Sequence, residues 1–254
     1  MHKGMIKNNL NRLVYVLKSR LARNQYLTAN YKATALLASF HQERLKNLQP
    51  LVCSILKCQF ISKVILSNHN PDFDVNNWIN IEDKRLLVLN QPVRRGFGYC
   101  WELAHAENSD YYLLIDDDFL ITPKQIKKLV QHLIDEPGIP HGITGHHNSE
   151  YYQSVEMEVG RLSQIYAITR SHLDKYFQYL EKIKAIDPDA YHAIEPYAHE
   201  IILSKTGNGK PRIHNVGRIL RCPTVRKPGV AIHQGEDFRP ERAKVINALE
   251  KVMA

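Results

Sequence analysis

The chain has 254 residues, 44% of them hydrophobic, enough to bury a sizeable core, which excludes an extended disordered polymer. Its formal net charge is +8, yet residues 1–42 hold seven Lys/Arg and no Asp or Glu, leaving 27 basic against 26 acidic residues in the remainder; a globular part so near neutrality argues against a nucleic-acid groove. No run of about 18 apolar residues is present to cross a bilayer, the charged, Asn-rich start lacks the apolar centre of a signal peptide, and Cys53, Cys58, Cys100 and Cys222 form no Cys-x-x-Cys pair. A reduced, cytoplasmic protein with no cysteine zinc site is expected.

In chain order, residues 1–32 read as a basic amphipathic helical arm, with Ile6, Leu10, Leu13, Val14, Leu17 and Leu21 spaced by threes and fours into one apolar stripe. Such a helix can lie on an anionic membrane at the inner face, pack on the domain, or bind a partner helix. Residues 33–254 read as a single domain without internal repeats. A strand is predicted over 33–40, a helix over 43–56, strands over 63–67 and 85–89, a helix over 101–107, and a strand over 111–115. Strands separated by helices imply right-handed crossovers and a mostly parallel α/β sheet with helices on both faces. Beyond it, helices are predicted over 124–134, 173–183, 196–204 and 241–252, with a strand over 164–169 and a loop over 205–210.

The strand Tyr111-Tyr112-Leu113-Leu114-Ile115 runs straight into Asp116-Asp117-Asp118. A buried strand tolerates no unpaired charge, so the carboxylates belong just past its C-terminal end, where ligands of open α/β sheets bind. Alternate residues point the same way, so Asp116 and Asp118 can share one divalent cation while Asp117 points elsewhere or to a second partner. The competing reading is a helix cap ahead of Pro123, for which one Asp suffices.

Over roughly residues 33–240 this arrangement resembles the nucleotide-sugar-dependent glycosyltransferases of the GT-A fold, particularly the inverting family 2 and, more distantly, the exostosin-like transferases. The stretch 38–45 is similar to the first strand-turn-helix of that family, which places Arg44 near the nucleotide pocket. Val64-Ile65-Leu66-Ser67-Asn68 offers Asn68 to base and ribose, although His69-Asn70-Pro71 follows in place of the usual polar ending. Arg94-Arg95-Gly96-Phe97-Gly98 resembles the family's turn ahead of the metal strand, and independently pairs two guanidiniums that match a diphosphate with glycines that let backbone approach it. The resemblance implies that Asp116 and Asp118 match the Asp-x-Asp motif holding Mn²⁺ or Mg²⁺ and the diphosphate of a UDP- or GDP-sugar, with Asp117 among the donor-binding residues.

An inverting transfer needs a carboxylate base for the acceptor hydroxyl. In the family it starts a helix, often as Glu-Asp followed by apolar residues; His199-Glu200-Ile201-Ile202 makes Glu200 the candidate here, with Glu195 as the alternative. His233, in Gly229-Val230-Ala231-Ile232-His233, resembles a late histidine metal ligand and would favour Mn²⁺, and His146-His147 are candidates for the acceptor side. The acceptor implied is a glycan, a lipid-linked glycan or a protein. Two other readings compete. One is a haloacid dehalogenase-like phosphatase with Asp116 as nucleophile, although that family carries its motif on the first strand. The other is a non-enzymatic adaptor or nucleic-acid binder acting through the basic arm.

Overall fold

The computed structural model describes residues 2–222 and 234–254, with side chains from Arg12 onward. After helix α1 (His2–Leu21), strand β1 (Ala33–Ser39) leads through a short 3-10 turn into α2 (Leu45–Leu56), β2 (Ile61–Asn68) and β3 (Leu86–Asn90). Helix α3 (Tyr99–His105) then precedes β4 (Tyr111–Asp116), β5 (Phe119–Leu120), α4 (Pro123–Asp135), β6 (His141–His147), β7 (Glu150–Gln153), β8 (Met157–Glu158) and β9 (Arg161–Thr169). The chain closes through α5 (Arg170–Ile186), α6 (Pro188–Ala193), a π-turn at Ile194–Ala198, α7 (His199–Leu203), β10 (Arg212–Ile213), β11 (Leu220–Arg221) and α8 (Phe238–Met253).

The main sheet runs β3-β2-β1-β4-β9-β6-β10-β8, with β7 paired to β6. Neighbours β1, β2, β3 and β4 are parallel, with Ala38 opposite Asp116. Only after β4 does the pattern break, because β9 lies antiparallel to both β4 and β6. The architecture is the α/β fold that the alternation of strands and helices implies.

All seven residues of β1 are buried, which accounts for its continuous apolar run: a central parallel strand is covered on both faces. Alternation in β4 divides the core. Leu113 and Ile115 join a cluster with Leu48, Leu51, Ile126 and Leu129 from α2 and α4, while Tyr112 and Leu114 join Trp101, Tyr166, Leu173 and Val245 on the other face.

Helix starts follow capping chemistry. At α4 the Gln125 side chain accepts the Thr122 backbone N–H at 2.9 Å and Pro123 occupies the first turn. Thr122 is therefore the cap, and the reading of the aspartate triplet as a helix cap is corrected. The predicted helix over 196–204 is a π-turn followed by the short α7.

The arm is tied to the domain. Tyr15 is 1% exposed and donates to the carbonyl of Ile121 at 2.7 Å, and Gln25 bridges in parallel to Cys58. On the other side of α1, Leu13, Val14, Leu17 and Leu21 are exposed, so the apolar stripe within 12–21 faces outward. The helix docks instead through Tyr15 and Ser19.

Candidate active site

The C-terminal ends of β1, β2 and β4 open into a cavity of about 1000 Å³, the position at which open α/β sheets receive ligands. Asp116 and Asp118 line it together with Arg44, Arg94, Arg95 and Arg221. Strand β4 carries Asp116 as its last residue, and the turn into β5 delivers Asp117 and Asp118. Pairing of β11 with β5 sets Arg221 opposite Phe119, with its guanidinium 4.9 Å above that ring.

Arg44 binds the acidic turn, with Nη1 2.8 Å from Asp117 Oδ1 and Nη2 3.6 Å from Asp118 Oδ2. Burial opposes its charge, but Asp117 and Asp118 outweigh that and hold the guanidinium above its ordinary pKa. The aspartates move the other way. Burial, then Asp118 and Asp117, raise Asp116 well above the usual carboxylate range. Burial raises Asp118 to about 6 against the pull of Arg44. Asp118 Oδ1 is buried without a hydrogen-bond partner. Two carboxylates facing one cavity, resisting ionisation and with a donor oxygen unspent, form an all-oxygen set suited to a hard divalent cation.

The loop carrying Arg94 and Arg95 is held in place from across the cavity. Glu195 Oε1 accepts the Gly96 N–H at 2.7 Å, and its backbone carbonyl accepts the Gly98 N–H at 2.8 Å. A Cβ on Gly96 would lie 2.5 Å from backbone atoms of Glu195 and Pro196, so only glycine allows this approach. Arg95 lies 4.3 Å above the Tyr99 ring and 3.7 Å from Glu195 Oε2. Arg94 pairs with Asp72 at the exposed rim.

Other expected residues fall outside the lining. Asn68 is buried, its amide donating to the Phe73 carbonyl at 2.6 Å and to Asn90 at 3.0 Å; it shapes the loop whose His69 and Asn70 line the cavity. Asp117 faces Arg44 and does not line the cavity. Glu200 is ion-paired to Arg242 at 2.6 Å. Burial alone would raise its pKa, but Arg242, with His199 and Arg161, brings it below the ordinary Glu value. His146 and His147 also lie off the lining. His233 lies outside the described residues.

Among the lining residues that escaped sequence reasoning, three carry chemistry of interest. Arg221 depends on a two-residue strand pairing that no local pattern announces. Gln164 adopts φ +56°, a left-handed backbone that a non-glycine residue holds only under tertiary constraint, and its Oε1 is buried without a partner. Asp237 lines the cavity at the start of α8. Its signal was in the sequence: Glu236-Asp237-Phe238 at a helix start is the acidic-then-apolar pattern sought at 199–202.

No family model and no curated protein matches the chain in sequence. Solved structures match it in fold. The structure of GalNAc-T7 with UDP, GalNAc and Mn²⁺ superposes at a TM-score of 0.57 over 87% of this chain and 48% of that one, at 11% identity. Glucosyl-3-phosphoglycerate synthase from Mycobacterium tuberculosis, in complex with Mn²⁺, UDP and phosphoglyceric acid, superposes at 0.54 over 91% of this chain and 84% of that one, at 15% identity. The chain spans about half the length of the first. The fold is that of the GT-A nucleotide-sugar transferases.

Proposed function

We propose that the chain transfers a sugar from a UDP-sugar to an acceptor hydroxyl, with a divalent cation, Mn²⁺, held by Asp116 and Asp118. The observation that carries this is the lining of a single cavity by the carboxyl groups of Asp116 and Asp118 and the guanidiniums of Arg44, Arg94, Arg95 and Arg221. A carboxylate pair alone would repel a diphosphate, and arginines alone would need no such pair. Together they fit a metal–diphosphate, whose charge they share. Bound there, the cation supplies stabilisation of the negative charge that grows on the leaving diphosphate. The UDP and Mn²⁺ held by the two similar structures support the same choice of donor and metal.

The chain's own groups divide the remaining work. Arg95 and Arg221 bind phosphate oxygens, and Arg44 fixes the acidic turn. Gln164, strained and with a free carbonyl oxygen, orients a sugar hydroxyl. The transfer is assigned as inverting, with the acceptor proton taken by a carboxylate on the cavity wall. Asp237 takes that role in place of Glu200, because Glu200 is neutralised by Arg242 away from the lining whereas Asp237 stands exposed at the mouth. A phosphatase of the haloacid dehalogenase type is not favoured: β1, the first strand, ends at Ser39, is followed by Phe40-His41, and offers no aspartate nucleophile.

The outward stripe of Leu13, Val14, Leu17 and Leu21, flanked by Lys18 and Arg20, supports peripheral contact of α1 with an anionic membrane, which suits a lipid-linked glycan as acceptor. Among the described residues no helix is long and apolar enough to cross a membrane.

Thermal unfolding with UDP or GDP, each with Mn²⁺ or chelator, tests the donor site, since a ligand of the folded state alone raises the midpoint. The expected result is a rise that needs UDP and Mn²⁺ together and vanishes in Asp118→Asn. A folded protein that responds to no pairing overturns the reading. With the donor identified, Asp237→Asn is expected to lower kcat by roughly 10²–10⁴-fold at unchanged donor KM.

A further inference from the structure

A second cluster of metal-ligating side chains lies outside the cavity, where α4 meets the far half of the sheet. Strand β10 pairs with β6, setting Arg212 opposite His141, and with β8, setting Ile213 opposite Met157. This pairing gathers His141 at the start of β6, Glu156 just before β8 and His214 just after β10, and α4 adds His132. Both His141 and His214 are buried. None of the four residues lines the donor cavity.

Their hydrogen bonds form a chain whose protons do not add up for neutral rings. His141 Nε2 lies 2.8 Å from the Glu136 carbonyl, which can only accept. His141 Nδ1 and His214 Nε2 are 2.7 Å apart, and His214 Nδ1 lies 2.8 Å from Glu156 Oε2. Two neutral imidazoles carry one N–H each, enough for the first two links only. The third link then sets a ring lone pair against a carboxylate, an arrangement that calls for a proton or a metal ion between them.

The neighbouring ring favours the metal ion. His132 stacks on His214 with centroids 3.7 Å apart and planes within 7°. Neutral imidazoles tolerate that contact and a pair of imidazoliums would not. His132 Nε2 is buried without any hydrogen-bond partner. One donor atom from each of His132, Glu156 and His214 lies within 4.8 Å of the others.

We propose that His132, His214 and Glu156 form a second metal site, separate from the donor cavity, that takes Zn²⁺ or a similar borderline divalent ion. Two imidazoles and one carboxylate are a zinc donor set, with water in the fourth position. The His214 Nε2–H donates to His141, and His141 in turn to the Glu136 carbonyl, which fixes the tautomer and orientation of a ligating ring. The remaining Glu156 oxygen accepts the Asn215 N–H at 2.9 Å. Because stacked rings aim their lone pairs along parallel lines, loading turns the half-buried His132 ring in the last turn of α4. Glu156 is exposed, which gives the ion its way in. A bound ion would tie α4 to the strands β8 and β10.

Zn²⁺ and Co²⁺ titration of the chelator-treated full chain tests this, with folding checked by circular dichroism. Running it also in Asp118→Asn keeps any ion taken by the cavity carboxylates out of the count, so the result stands apart from the transferase reading. The expected result is one Zn²⁺ per chain in Asp118→Asn, weakened by about 100-fold or more when His132→Ala or Glu156→Gln is added, since loss of outer partners alone costs about 10–100-fold. Co²⁺ should give the visible bands of a tetrahedral site in the wild type and lose them in His132→Ala. Both chosen residues are reachable from solvent and leave the buried His141–His214 pair intact. Zn²⁺ held equally well by Glu156→Gln, or no uptake by folded protein, overturns the proposal.

Discussion

At the scale of single residues, the site rests on charges that only make sense in company. Arg44 is the sole cation within salt-bridge reach of Asp117 among the described residues, and Asp117 is 1% exposed. Removing one partner of a buried pair strands the other, at a cost of about 3–5 kcal/mol. Arg44→Ala should therefore lower the unfolding midpoint sharply in denaturant titration, and an unchanged midpoint would show that the acidic turn stands without it. His199 makes a different case. Its Nδ1 lies 3.1 Å from the Trp101 indole N–H, which must donate, so this nitrogen is held unprotonated. Burial lowers its pKa from 6.5 to about 4. Between those values the unfolded chain takes up a proton that the folded chain refuses. Stability present above pH 6.5 is then lost as the pH falls through that window, by up to about 3 kcal/mol from this ring. His69, lowered to about 4 by burial, acts in the same direction. Urea unfolding at pH 7 and pH 4.5 measures the loss, and His199→Gln should flatten part of it; equal acid sensitivity in that variant would contradict the assignment.

At the scale of elements, the loop 94–98 depends on contact with the backbone of Glu195 and Pro196. Gly96→Ala forces a Cβ into that contact and should cost about 1–3 kcal/mol while weakening the UDP-dependent thermal shift; a variant that binds as the wild type does would show that the loop position does not matter. Which elements were legible follows from burial. Strands β1, β2 and β4 carry apolar runs because helices cover both faces, and those runs reveal them directly. Strand β6 is equally central but reads His141-Gly142-Ile143-Thr144-Gly145-His146-His147, with one aliphatic residue. Its strand state is imposed by neighbours: a Cβ on Gly145 would come within 2.8 Å of the Arg161 carbonyl. The same division runs through the site. Asp116, Asp118, Arg44 and Arg95 announce their chemistry by type and place in the chain. Gln164 and Arg221 become site residues only through a left-handed kink and a strand pairing, which are tertiary facts.

At the scale of the whole molecule, the basic excess of the sequence and the outward stripe of α1 coincide in one helix at the edge of a near-neutral domain. Sedimentation with vesicles rich in anionic lipid should carry the wild type down and leave Leu13→Glu/Leu17→Glu in solution, with high salt weakening the interaction; equal sedimentation of the two would remove the membrane reading. The placement of β9 has a consequence for how the chain is made. Emerging from the ribosome, β1 to β4 can assemble their parallel sheet in order, but the neighbour that covers the open side of β4 is β9, which is synthesised only after β6, β7 and β8. Until Arg161–Thr169 arrives, an edge whose first five residues are buried in the finished protein stays unpaired. The nascent protein thus passes through a stretch of translation in which it is sticky by construction, and β6 must wait, unpaired to β4, for a later strand to slide between them.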